Sequence, residues 1–195
     1  MEATYIETQQ ISFQDFKNQI LEDYKLGRIS REMSYLGRRE VLTGKAKFGI
    51  FGDGKELPQL AMAKVFKNGD FRSGYYRDQT FAMAINAVSV ESFFAQLYAD
   101  TSVEREPASA GRQMNGHYAT RSLNEDGSWK NLMQQKNISS DISPTAGQMP
   151  RLLGLAMASK VYKSVKFDGS EKFSNEGNEV AFGTIGDAST AEGHF

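Results

Sequence analysis

The chain has 195 residues, 39% hydrophobic and 24% charged, a balance that suits a folded, soluble protein with its own core. With 23 basic and 24 acidic side chains the net charge is -1, so no overall field attracts nucleic acid or an anionic membrane, and neither is expected as a partner. No cysteine is present, which excludes disulfides, thiolate metal sites and cysteine nucleophiles; any chemistry must use oxygen, nitrogen or a cofactor.

The start, Met1-Glu-Ala-Thr-Tyr-Ile-Glu, carries neither a secretory nor a transit pattern, and no apolar run approaches membrane-spanning length, so a cytoplasmic location is expected. From Ser12, the residues Phe13, Phe16, Ile20, Leu21 and Tyr24 recur at helical spacing, and Ser12 with Asp15 forms a capping pair. Gly27 is expected to interrupt this helix. A second stretch then carries Ile29, Met33 and Leu36 beside Arg31, Arg38 and Arg39, a basic cluster that reads as a solvated face.

Four glycines lie between Gly44 and Gly54, but Lys45 is followed by Ala46, and the spacing fits neither a nucleotide loop nor a dinucleotide fingerprint. The segment reads as a turn-rich link into a helix from Leu57 to Phe66, with Pro58 at its first position. Helical patterns return over Gln79 to Asn86 and Val90 to Ala99, where Phe93, Phe94, Leu97 and Tyr98 form a core stripe. Loop formers dominate from Asp100 to Met149, and the triplet Asn137-Ile-Ser139 is a chance match to a glycosylation site.

A helix follows Pro150, and the apolar run Val180 to Ile185 reads as a buried strand. A helix feeding a buried strand implies an α/β fold with a parallel sheet flanked by helices. Asp187 lies just past that strand, where a carboxylate can hold a divalent ion against a phosphate, and Ser189 with Glu192 has the spacing of a capping box for a further helix.

Four motifs share this order along the chain: Gly74-Tyr-Tyr-Arg-Asp-Gln79, Gly111-Arg-Gln-Met-Asn-Gly-His-Tyr118, Ile142-Ser-Pro-Thr-Ala-Gly-Gln-Met-Pro150 and Gly186-Asp-Ala-Ser189. From about Ser12 to Phe195 the chain resembles the alpha-type decarboxylase subunit of thiamine-diphosphate-dependent 2-oxo acid dehydrogenases, more closely the branched-chain (2-oxoisovalerate) kind than the pyruvate kind. The resemblance implies an incomplete thiamine-diphosphate-binding fold, with an amino-terminal helical segment over residues 1–45 and the cofactor-binding domain over 46–195.

It also implies oxidative decarboxylation of a 2-oxo acid, with acyl transfer to a lipoyl group of an acyltransferase component. By position it assigns Tyr76 and Arg77 to the cofactor diphosphate, Ser143 and Thr145 to the aminopyrimidine, and Gly186, Asp187, Ala188 and Ser189 to the diphosphate signature. Asp187 becomes the Mg2+ ligand and His117 a catalytic group near the reacting end. Ala188 departs from the third glycine of the signature, which requires a negative φ at that position.

The resemblance further implies a beta-type partner that contributes the activating glutamate, a heterotetrameric assembly, and a chain that continues past Phe195 and is inactive alone. A pyruvate or acetoin dehydrogenase subunit and a non-catalytic assembly module of the same fold are the alternatives.

Overall fold

The computed structural model describes residues 11–195. A 30-residue helix, α1 (Phe13–Leu42), opens the fold, and the Ser12 hydroxyl accepts from the Asp15 N–H at its start. The helix runs unbroken through Gly27, contrary to expectation. Gly27 lies against α2 (Glu56–Val65), where an added Cβ would sit 3.5 Å from Leu60 in ordinary van der Waals contact, so packing against α2 carries the helix through this residue.

The basic cluster on α1 is not simply solvated. Arg31 donates two 2.6 Å bonds to Glu56, and Arg38 donates to Asp53 at 2.7 Å, which clamps the link and α2 to α1. Pro58 is the third residue of α2, not the first; proline is tolerated there because the first-turn N–H groups have no helical partner.

Two short helices follow, α3 (Gln79–Ala84) and α4 (Val90–Leu97), the latter started by a reciprocal Ser89–Ser92 capping box. Within the expected stripe, Phe93 and Leu97 are buried, but Tyr98 is half exposed and donates to Glu40 at 2.8 Å.

The sheet is parallel and three-stranded, in the order β2-β1-β3, with β1 (Phe71–Ser73) central, β2 (Asn137–Ile138) on one side and β3 (Ala181–Gly183) on the other. This agrees with the expected α/β class. Strand β3 forms within the apolar run but is an edge strand of intermediate burial, and Val180 before it is exposed. Asn137 is buried in β2, with its amide donating to carbonyls of Leu132 and Asp70, which disposes of the glycosylation triplet.

Helix α5 (Gln148–Ser164) packs on β1 and β3. Its first residue joins both strand ends, since Ser73 donates to the Gln148 carbonyl and the Gln148 amide donates to the Thr184 carbonyl, each at 3.0 Å. Leu153, Met157 and Val161, spaced four residues apart along α5, are exposed. One core cluster joins Phe66, Phe81, Ile85, Tyr118 and Ile138 between α2, α3 and the sheet; a second joins Met33, Phe51, Phe93 and Leu97 beneath α1.

Candidate active site

At the carboxyl ends of the three strands lies a buried ion network that gives the site its frame. Arg72, in the middle of β1, is fully buried; its guanidinium donates to Asp78 at 2.7 and 3.0 Å and to Asp141 at 2.9 and 3.0 Å. Burial alone opposes its charge, but the two carboxylates prevail and hold the guanidinium above its ordinary pKa, so it stays cationic.

Each acid then secures a different segment. Asp78 accepts from the Tyr75 N–H and from the Thr184 hydroxyl beyond β3, while Asp141 accepts from the Tyr118 N–H. Arg72 also donates to the Tyr75 carbonyl at 2.8 Å. One cation therefore ties together the turn after β1, the loop before α5, the Gly116–Tyr118 loop and the exit of β3. Gly74 lies directly on this network: any side chain there would collide with Asp78 and Arg72.

The framed turns open onto a cleft of about 570 Å³ lined by Lys55, Tyr75, Tyr76, Arg77, Gly186, Asp187, Ala188 and Ser189 among others. Arg77 does not pair with Asp78, which is taken by Arg72; it lies 5.6 Å from the centre of the Tyr76 ring and donates to the Phe51 carbonyl at 3.3 Å. Burial raises the Tyr75 phenol, so it remains a neutral donor at physiological pH.

The far side of the cleft is looser. Residues Ala188–Ala191 form a single 3-10 turn whose N-cap, Asp187, makes no side-chain cap bond. Glu192 ends this turn instead of closing a capping box with Ser189, so the expected reciprocal cap does not form. Ala188 is absent from the positive-φ residues, so its methyl group meets no backbone penalty.

The structure thus brings Tyr76, Arg77 and Gly186 through Ser189 to one cleft. Ser143, Thr145 and His117 do not line it. Ser143 and Thr145 sit exposed on the loop before α5, and His117 is buried beside Ser143, its Nε2 2.8 Å from the Ser143 hydroxyl. The two groups are nevertheless adjacent through backbone. Gly116, at φ 83°, packs so closely on Tyr76 that a Cβ would come within 3.0 Å of the Tyr76 carbonyl oxygen.

Among the described residues no three acidic or histidine side chains converge as a ready metal cage, and of the two carboxylates lining the cleft, Asp78 is committed to Arg72, which leaves Asp187. Magnesium suits such a donor set, because it is commonly held by one or two carboxylates together with ligand phosphates. With Lys55 and Arg77 also lining the cleft, the residues fit a magnesium-bound diphosphate.

Sequence reasoning missed Arg72, Asp78 and Asp141, the groups that fix the site. A charged residue inside a three-residue strand leaves no periodic signal. A separate cleft of about 590 Å³, lined by Ile85, Phe93, His117, Arg121 and Lys136 among others, was also not foreseen.

The chain is 28% identical over 173 residues to the 2-oxoisovalerate dehydrogenase subunit alpha of Bacillus subtilis (strain 168), an alignment covering 86% of this chain and 41% of that relative. The description of the dehydrogenase E1 component matches residues 24–195, from the middle of α1 through the last turn of the cleft, and the chain belongs to that family.

Proposed function

We propose that this chain supplies the diphosphate-holding part of the cofactor site in a thiamine-diphosphate- and magnesium-dependent 2-oxo acid dehydrogenase. The substrate class is a branched-chain 2-oxo acid, and the acyl product passes to a lipoyl group of a partner acyltransferase. A beta-type subunit or fused domain completes the site. The observation that carries this reading is the convergence of the Tyr75–Asp78 turn and the Thr184–Ser189 segment on one cleft, braced by the same buried arginine.

Arg77 can meet two phosphate oxygens at once, and Lys55 adds a second positive charge to the cleft lining. Asp187 offers the one exposed carboxylate of the cleft and takes the magnesium. Thiamine diphosphate, when bound, supplies the electron sink for decarboxylation. The protein's own share is to hold the diphosphate end with Tyr76, Arg77 and the Gly186–Ser189 segment, to meet the ring with Ser143 and Thr145, and to accept and return a proton at His117 Nε2.

Calorimetric titration of the complete protein with thiamine diphosphate at fixed magnesium tests the reading. Losing one charge-assisted contact should weaken binding about 10- to 100-fold in Asp187→Ala, and similarly in Arg77→Ala. Unchanged affinity in both variants would sink the assignment.

A further inference from the structure

His117 is held by more than its own side chain. Gln96, 5% exposed on α4, brackets the loop that carries it: its amide nitrogen donates to the His117 carbonyl at 2.7 Å, and its oxygen accepts from the Gly116 and His117 N–H groups at 2.8 and 3.2 Å. Three bonds from one buried amide satisfy backbone groups that would otherwise be stranded away from water.

The bracket holds the backbone from which the ring reaches its own two partners. His117 Nδ1 lies 3.0 Å from the Met114 carbonyl oxygen. A carbonyl only accepts, so in the neutral ring Nδ1 carries the hydrogen and Nε2 is left with its lone pair. The Ser143 hydroxyl, 2.8 Å from Nε2, must then donate to it. Ser143 is the exposed end of this series of bonds.

We propose that Gln96 is a positioning residue that fixes His117 in its Nδ1–H form, with Nε2 accepting from Ser143. The assignment deepens the function proposed above, because Ser143 and His117 are two of the residues given to the ring and the reacting end. It is tested without thiamine diphosphate, so its failure is distinct from a failure to bind the cofactor.

The readout is the 15N imidazole spectrum of the complete histidine-labelled protein, with the His117 signals assigned by their loss in His117→Gln. The wild type should show a single form, protonated at Nδ1 and bare at Nε2. Ser143→Ala should keep that form while moving the Nε2 resonance toward the value of an unbonded nitrogen. Gln96→Met, close in volume but without the three bonds, should replace the single form by a mixture of tautomers while circular dichroism stays native.

If Gln96→Met does not fold, Gln96→Glu serves in its place: it loses the donor to the His117 carbonyl and should also yield a mixture. A wild-type Nε2–H form, or an unchanged single form in whichever folded Gln96 variant is measured, overturns the proposal.

Discussion

The two walls of the candidate cleft are built in opposite ways. The Tyr75–Asp78 wall rests on a fully buried arginine and two carboxylates, with Gly74 packed directly on them. The Gly186–Ser189 wall is a short, partly exposed turn whose leading carboxylate caps nothing. The first wall is thus preorganised to present Arg77, whereas the second offers Asp187 without burying it. On the function proposed above, the cationic half of the site is set by folding and the carboxylate half is free to settle on its ligand.

The largest effect should come from the centre of the braced wall. Arg72→Met leaves Asp78 and Asp141 buried without their cation and should cost about 3–5 kcal/mol, read by urea unfolding at pH 7. A loss below ~1 kcal/mol would mean that the network contributes little to the frame.

Two glycines make a paired probe of the contrast. Gly52→Ala would place a methyl group 2.5 Å from the Arg77 carbonyl oxygen and should cost about 1–3 kcal/mol through backbone displacement. At Gly186 the nearest atoms to an added Cβ are Ser189 Oγ at 3.4 Å and Tyr75 at 3.9 Å, so Gly186→Ala should change stability by no more than ~0.5 kcal/mol. Equal costs at the two positions would erase the distinction between the walls.

A modest effect, below those at Arg72 and Gly52, is expected at the α1 clamp. Hydrogen bonding from Arg31 holds the Glu56 carboxyl below its usual range, so this contribution exists above that range and fades as pH falls through the lowered value. Glu56→Gln should therefore lower the melting temperature by about 2 °C at pH 7, with the difference shrinking below about pH 4. A deficit that persists at pH 3 would assign it to packing instead of charge.

The contrast between the walls also explains what the sequence made legible. The exposed turn was readable because Gly-Asp after an apolar run is a local pattern, and the Ser12 cap and the helices were readable from local chemistry and periodicity. The braced wall was not. Strands of three and two residues are too short for alternation, and the partnership of Arg72 with Asp141 spans 69 positions that no local rule connects.

Gly27 misled because a single glycine lowers only local helix propensity, and the packing of α1 on α2 and α3 outweighs it. The box expected from Ser189 and Glu192 failed because the chain makes only one 3-10 turn there. His117 stands in a motif the sequence displays, but its anchor, Gln96, is 21 positions away and carries no motif.

The most direct test of the central claim, that both turns serve one anion, is a cryo-EM structure of the complete protein with thiamine diphosphate and magnesium. The account predicts the diphosphate against Arg77 and Tyr76, with the metal bound to Asp187. A diphosphate held elsewhere, with Arg77 and Asp187 both facing solvent, would contradict it.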